Sequence, residues 1–386
     1  MAPMVSVCRG ARLRSEAPAL IALLGLALSA ACQTEPASAK DAGNGGAGGW
    51  EMIVPPGGPG YAAVSLGAPG TVYALTNSNG SLHSVSSSHD DGKTWNTVDV
   101  TDASAPLFSI AAIGATEVLA VGFTSDGTNS PPLIARSMDG GASFTLLHPT
   151  TFTGAFSAVA ADGAGNPIGV GSAGGVGFFV RSGDGGDSWS RVPVPGTEAL
   201  WSLWTTSSGT IYACGQAAIP SADGGTDAGS IDGGTAGPYA AITGVVVRSD
   251  DGGSSWTTMA RSPSSLFSIS GTPDGQRIVA VGYAFNQVES TDGGATWHVE
   301  CGRNDTSIRY SDFASVWVPD AQSAPFIAAN APYVVRSLSC DYTGTPVIET
   351  WDQLPSPTVG LQSSALAVAG NATEVWAVGT GIFRRR

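Results

Sequence analysis

Lysine is almost missing from this chain: Lys40 and Lys93 are the only two in 386 residues. With 17 basic residues against 31 acidic ones the formal net charge is −14. Such a surface repels phosphate backbones, which argues against nucleic acid as a partner. Histidine is also scarce. His83, His89, His148 and His298 show none of the paired spacings used for zinc, so no metal is expected. Glycine-rich phosphate loops and nucleophile elbows are absent from any strand–turn–helix context, and no cofactor is expected. Charged residues make up only 12% of the chain, while Gly 53 and Pro 24 suit many short strands and turns rather than helices.

One phrase recurs. Arg248-Ser-Asp-Asp-Gly-Gly-Ser-Ser-Trp256 is echoed by Ser88–Trp95, Ser137–Phe144, Ser182–Trp189 and Ser290–Trp297. Each copy reads Ser-x-Asp-x-Gly-x-(Ser/Thr)-aromatic, the chemistry of a tight turn. The Asp carboxylate accepts main-chain N–H groups further on, and the glycine two residues later supplies positive φ. The expected acceptors are Asp90, Asp139, Asp184 and Asp292, with Asp250 in the fifth copy and Asp251 beside it. Calcium ligation would need more oxygens at alternate positions and a closing Glu, which no copy has.

The N-terminus reads as an address. Arg9, Arg12 and Arg14 precede the apolar run Ala17–Ala31, which is too short for a comfortable membrane span and ends in small residues before Cys32. Leu28-Ser-Ala-Ala-Cys32 resembles a bacterial lipobox, which implies a lipid on Cys32. Ser29 departs from the usual Leu, so cleavage at an Ala-x-Ala-like site is the alternative. Gln33 in place of the inner-membrane Asp implies, on that resemblance, the outer membrane. Residues 1–31 are thus a signal peptide and 32–49, rich in glycine, a flexible tether.

From Trp50 onward a four-strand unit repeats. Trp50, Trp95, Phe144, Trp189, Trp256, Trp297 and Trp351 each open a short strand, at blade-sized intervals of roughly 40–70 residues. Ahead of each turn comes an extended run such as Val176–Arg181 or Gly244–Arg248. Before it lies a small-residue strand such as Ile278-Val-Ala-Val-Gly282, and first of all a strand such as Leu107-Phe-Ser-Ile110. Small residues there are expected to let sheets crowd around an axis. The final unit, ending Gly381-Ile-Phe-Arg-Arg-Arg386, lacks a fourth strand, and the Trp50 strand lacks a unit. The expected fold is all-β. Residues 50–386 form a single seven-bladed β-propeller of four-stranded antiparallel blades, closed by the N-terminal strand, which removes exposed sheet edges. A monomer is expected.

Two irregularities interrupt the period. Residues 217–240 read as an acidic low-complexity insertion, and the sixth turn, Arg336-Ser-Leu-Ser-Cys340-Asp341, is degenerate. An exported chain permits a disulfide between Cys301 and Cys340. Cys214 stands where other repeats have Val121, Val281 and Val378, and reads as a buried thiol.

The five copies resemble the Asp-box, or BNR, repeat of sialidase-like propellers. The fuller Ala-Val-Gly … Arg-Ser-x-Asp-Gly-Gly-x-Ser-Trp pattern is most similar to the seven-bladed photosystem II assembly factor-like propellers. The resemblance implies the fold, but one superfold carries many activities. Sialidase chemistry, as that family implies it, needs an arginine triad, a Tyr–Glu pair and an acid Asp. No arginine occurs between Lys40 and Arg136. Arg136, Arg181, Arg248 and Arg336 share one repeat position and read as structural. That leaves Arg191, Arg261, Arg277, Arg303 and Arg309, of which only Arg309, beside Tyr310 and Asp312, makes a suggestive cluster. A polar connecting loop explains the same residues. Phe108, Phe156, Trp201 and Phe267 share a first-strand position, either as a carbohydrate platform or as packing between blades. The expected function is a membrane-anchored binding or assembly scaffold for a protein or carbohydrate, with a glycoside hydrolase acting on surface polysaccharide as the alternative.

Overall fold

Short β-branched segments punctuated by Gly and Asp turns favour strands over helices. The only helical element among the described residues is the 3-10 turn Tyr283–Phe285. The computed structural model describes residues 49–58, 60–78, 81–100, 106–123, 131–149, 151–218, 242–301, 312–329, 331–340, 346–355 and 365–386. All of them belong to the unit Asp41–Arg386. The leader, Cys32 and nearly all of the tether lie outside the described residues.

The strands form seven four-stranded antiparallel sheets. Blades 1 to 6 span residues 60–99, 107–147, 155–193, 199–262, 266–301 and 315–353, each with its four strands side by side in sequence order. Blade 7 takes three strands from 365–385 and its fourth from Trp50–Val54, which pairs with Ile382–Arg385 so that Trp50 faces Arg385 and Met52 faces Phe383. The fold is a seven-bladed β-propeller.

Seven hydrophobic clusters hold the ring, one at each boundary between neighbouring blades. A linear array of seven blades would have six. The seventh joins Trp376, Val378 and Ile382 of blade 7 to Tyr61, Val72 and Ala74 of blade 1, so the ring is closed by packing as well as by strand pairing.

The innermost strand of each blade has one edge without a strand partner, and buried N–H groups there need acceptors. Serines of the preceding blade supply them. Ala112 N donates to Ser65 Oγ at 3.1 Å, Val159 N to Ser109 Oγ at 3.2 Å and Ile269 N to Ser202 Oγ at 3.3 Å. Val316 N donates to Ser268 Oγ at 3.1 Å and Val368 N to Ser315 Oγ at 3.2 Å.

The final glycine of the Ala-Val-Gly strand has a different purpose from the crowding around the axis that its composition suggests. The innermost strand carries a one-residue bulge there: Leu107 faces Gly122 and Ser109 faces Val121, with Phe108 extra. The bulge drives the preceding carbonyl against the glycine. A Cβ on Gly122, Gly215 or Gly282 would lie 1.9, 2.0 or 2.1 Å from Pro106 O, Ala199 O or Ser265 O. Trp201 and Phe267 are the extra residues in blades 4 and 5. Phe156 is out of step with them. It faces Gly171, the bulge falls on the next residue, and its ring is fully buried against Trp189.

Two boundaries differ from the expectation. The second strand of blade 4 continues to Ala218, two residues into the segment read as insertion, and residues 219–241 lie outside the described ones. In blade 6 no turn begins at Ser337. The third strand runs on to Cys340 through two register shifts, and Ser337 and Thr350 share a 2.7 Å hydroxyl bond across the ladder.

Candidate functional site

The chain direction gives the propeller two ends. Turns between first and second strands, and between third and fourth, lie at one end. Connections between second and third strands, and between blades, lie at the other. The recurring Asp phrase occupies the first end, the box end.

Each copy of the phrase folds alike. The serine hydroxyl donates to the Asp (Ser182 Oγ to Asp184 Oδ1, 2.8 Å) and accepts the second glycine's N–H (Gly186 N, 2.7 Å). The later hydroxyl residue donates twice to the same carboxylate (Ser188 N 2.8 Å, Ser188 Oγ 2.5 Å), and Trp189 Nε1 donates to Gly186 O at 3.0 Å. Two successive residues, not one, take positive φ: Gly185 at 70° and Gly186 at 97°. In the first copy the leading position is Asp91, φ 61°, a residue type that tolerates this region. Asp90, Asp139, Asp184, Asp251 and Asp292 are held at about 2 against an ordinary 3.8. The largest cause in each is the bond from the later side-chain hydroxyl, followed by that residue's backbone N–H.

In the copy at Arg248 the acceptor is Asp251 rather than Asp250. Asp251 takes Ser249 Oγ at 2.8 Å and Ser255 Oγ at 2.6 Å. Asp250 points elsewhere, to Arg248 Nε at 2.9 Å and Thr210 Oγ1 at 3.0 Å. The physical reason is register: Ser249, two residues before Asp251, must share its carboxylate, and Asp250 is one residue too early.

The turn is also a socket for the preceding blade. The left-handed residue at its head presents a carbonyl that accepts from four different donors at four boundaries. Arg384 Nη1 donates to Asp91 O at 2.7 Å, and Arg181 Nη1 reaches Gly252 O at 3.4 Å. Tyr212 hydroxyl donates to Gly293 O at 3.3 Å, and His89 Nε2 lies 2.9 Å from Gly140 O. Where the donor is not the repeat arginine, the arginine is missing or diverted: Ser87 precedes Ser88 in blade 1, and Arg248 is paired with Asp250. Arg136 bonds to Asp187 of the next turn at 2.6 Å, and Arg336 Nη2 to Ala324 O at 2.9 Å within its own blade.

At the opposite end stands Asp312, immediately before the innermost strand of blade 6. Its Oδ1 accepts Ala284 N at 3.1 Å. Ala284 and Phe285 are consecutive left-handed residues, φ 55° and 58°, and the only such non-glycine residues among those described apart from Asp91. The loop is over-determined by its neighbours, as strained backbone must be. Asn286 N donates to Tyr283 O at 3.2 Å, and the buried Asn286 Nδ2 bonds Ser262 Oγ and Ser264 O at 2.8 Å each. Phe313 N donates to Gly282 O at 3.0 Å. Asp312 keeps an accessible surface while protein surrounds it, and desolvation raises its carboxyl above the ordinary value, opposed by the Ala284 bond.

Arg303, Arg309 and Tyr310 lie outside the described residues. The other non-repeat arginines do not gather at Asp312: Arg191 lies over Phe178, Arg261 reaches Thr243 Oγ1, and Arg277 binds Glu289 at 2.6 Å and Ser323 O at the box end. Cys301 and Cys340 lie on strands of adjacent blades, and their pairing falls outside the described side chains. Cys214 is a free, fully buried thiol pushed well above its ordinary value by desolvation. Among the described residues no His/Cys/Asp/Glu group could hold a metal ion, and no helix is long and apolar enough to cross a membrane.

The fold and its two unlike ends define a member of the seven-bladed propeller class. Among solved structures, it is similar to YCF48 bound to D1 peptide (17% identity, TM-score 0.54, covering 87% of this chain and 96% of that one). It is likewise similar to YCF48 from Cyanidioschyzon merolae (16%, 0.56, 88% and 99%) and to a streptogramin B lyase (12%, 0.54, 87% and 96%). At these identities the likeness is one of fold, and it spans both a peptide-bound protein and a lyase. No family model matches the chain, and no curated protein matches its sequence.

Proposed function

We propose that this protein is a non-catalytic Asp-box propeller that holds a protein partner at the end opposite its box turns. In this reading it is anchored to the outer membrane by a lipid on Cys32. The observation that carries the reading is the contrast between the ends. At the box end the turn aspartates, and the basic groups Arg136, Arg181, Arg277 and Arg384, are consumed by bonds that build turns and join blades. At the opposite end Asp312 accepts the N–H of left-handed Ala284 and pairs with none of the described cations. The peptide bound by the similar YCF48 structure supports a protein partner. The hydrolase reading rests on Arg309, Tyr310 and Asp312, of which only Asp312 lies among the described residues.

Two exposed apolar residues make the test direct. Val176, 38% exposed, opens the third strand of blade 3 at the opposite end, whereas Met138, 58% exposed, sits in a box turn. A photo-crosslinking amino acid placed at position 176 of the full-length protein in cells should capture one discrete partner, and at position 138 none. Capture from position 138 alone, or equally from both, would refute the assignment.

A further inference from the structure

We infer that the box end carries a binding site of its own, for a small hydroxylated carboxylate such as a single sugar acid, in the cleft over Arg181 between blades 3 and 4. The site is separate from the proposed partner-binding end and does not depend on it.

The cleft holds about 290 Å³, at the lower edge of the range for small-molecule sites, about 300–1,000 Å³. It lies between the first turns of blades 3 and 4, residues 162–166 and 206–210, with Gly252 of the blade 4 box turn beside them. Its walls lack bulk. A Cβ on Gly163 would lie 3.9 Å from Gly209 Cα, and one on Gly209 would meet nothing within 4 Å.

One blade earlier, the counterpart of Arg181 is closed by two carboxylates. Arg136 Nη1 bonds Asp187 Oδ1 at 2.6 Å, and its Nε lies 3.2 Å from Glu117 Oε1. Among the described carboxylates Arg181 pairs with Asp162 alone, and its Nη1 donates to Gly252 O at 3.4 Å. The two guanidiniums stand alike against their turns. A Cβ on Gly185 would lie 2.9 Å from Arg136 Nη2, and one on Gly252 2.7 Å from Arg181 Nη1. The difference comes two residues further on, where Ser254 occupies the place of Asp187. Ser254 folds back on its own turn, its Oγ donating to Asp251 O at 3.2 Å. Arg181 is therefore 40% exposed where Arg136 is 16% exposed.

Asp162 cannot take both places. Its Oδ1 accepts Ala164 N at 2.9 Å and Asn166 N at 2.8 Å, and its Oδ2 accepts Asn166 Nδ2 at 3.2 Å as well as Arg181. A guanidinium has more N–H donors than two bonds use, and a planar acceptor with paired oxygens suits the open edge. A ligand carboxylate would stand to Arg181 as Asp187 stands to Arg136, an arrangement the chain tolerates in spite of its −14 charge. The cleft also offers hydroxyls. Ser207 Oγ donates to Pro273 O at 2.9 Å, and Ser208 Oγ lies 2.9 Å from Thr206 Oγ1. Both keep lone pairs for O–H groups on the ligand, which is why a hydroxy acid fits better than a plain one.

The test is an NMR titration of the full-length protein with galacturonate and with galactose, in which a CH2OH group replaces the carboxylate. Galacturonate should shift the amides of Gly163, Ser208 and Gly252 and bind at least about tenfold more tightly than galactose. Ser254→Asp rebuilds the closure seen at Arg136 and should abolish galacturonate binding at an unchanged or higher thermal midpoint, which separates a filled site from an unfolded one. Ser254→Ala should leave binding intact. Glutarate, a carboxylate without hydroxyls, should bind more weakly. No shift with galacturonate, equal affinity for galacturonate and galactose, or binding that survives Ser254→Asp would overturn the proposal. Glutarate bound as tightly as galacturonate would overturn the assignment of a hydroxy acid.

Discussion

Arg384 and Glu51, 333 positions apart in the chain, meet across the point where the ring closes, Nη2 to Oε2 at 2.6 Å. The same guanidinium donates its other nitrogen to Asp91 O in blade 1 and lies 5.4 Å over the Trp376 ring. Arg385 turns the other way, to Asp352 of blade 6. Successive arginines therefore fasten the composite blade to both neighbours.

This clasp predicts unequal losses. Glu51 is 62% exposed, so Glu51→Gln should cost no more than about 1 kcal/mol. Arg384 is 8% exposed, and Arg384→Ala leaves Asp91 O without its donor, which should cost about 1–3 kcal/mol. Hydrogen exchange should quicken at Trp50–Val54 first. Deleting that strand should be severe, because it exposes two edges. Unchanged protection of Trp50–Val54 in Arg384→Ala would contradict the clasp.

Within the box turns, the acceptor and its neighbour are separable. Asp251→Ala removes the partner of Ser249, Ser254 and Ser255, and should lower the thermal midpoint by several degrees. Asp250→Ala removes only the Arg248 and Thr210 contacts and should shift it much less. A larger loss in Asp250→Ala would mean that the turn is built otherwise.

The same carboxylates set the acid limit. Five aspartates have folded values near 2 against 3.8 when unperturbed, so their folded-state pKa is depressed. Their contribution is complete above about pH 4 and is lost as pH falls through 3.8 towards 2. Urea midpoints should therefore drop steeply in that window, and Asp251→Asn should flatten the drop. Parallel curves for wild type and variant would count against this linkage.

Much of this architecture is written locally and hence readable. The Ser-x-Asp phrase fixes its own turn, and the orphan Trp50 strand beside a three-strand final unit points to the composite blade. What escaped was non-local or depended on register. The repeat pattern itself puts Asp251, two residues after Ser249, in the acceptor place, and choosing Asp250 slipped that register by one. Phe156 looks like Phe108 until the bulge shifts by one residue. The socket carbonyl is invisible in sequence because Arg181, Arg384, Tyr212 and His89 fill it with unlike side chains. Asp312 stood out only through its neighbours Arg309 and Tyr310. The loop that holds it, Tyr283–Asn286, carries no glycine to announce its left-handed backbone.

The proposed anchor has its own test. Cys32→Ser should leave an unprocessed precursor and abolish partitioning into detergent, without changing the stability of residues 50–386. Fractionation identical to wild type would remove the lipid from the proposal.

The last prediction concerns the second-strand glycine that faces the bulge of the innermost strand. A methyl on Gly215 would lie 2.0 Å from Ala199 O, 2.8 Å from Leu200 Cα and 2.9 Å from the Ala199 carbonyl carbon. All three are backbone atoms, so no side chain can move aside, and relief requires sliding the innermost strand of blade 4. That strand holds Ser202, whose hydroxyl accepts Ile269 N of blade 5, so the shift is transmitted across the boundary. Overpacking of this kind should make Gly215→Ala cost about 1–3 kcal/mol. Gly174→Ala is the control. Gly174 has open space around it, and its φ of 58° makes the cost conformational alone, about 1 kcal/mol. Gly215→Ala should also speed hydrogen exchange at Ile269, which Gly174→Ala should leave untouched. A Gly215→Ala variant as stable as wild type, with Ile269 still protected, would show that the bulge does not need the glycine.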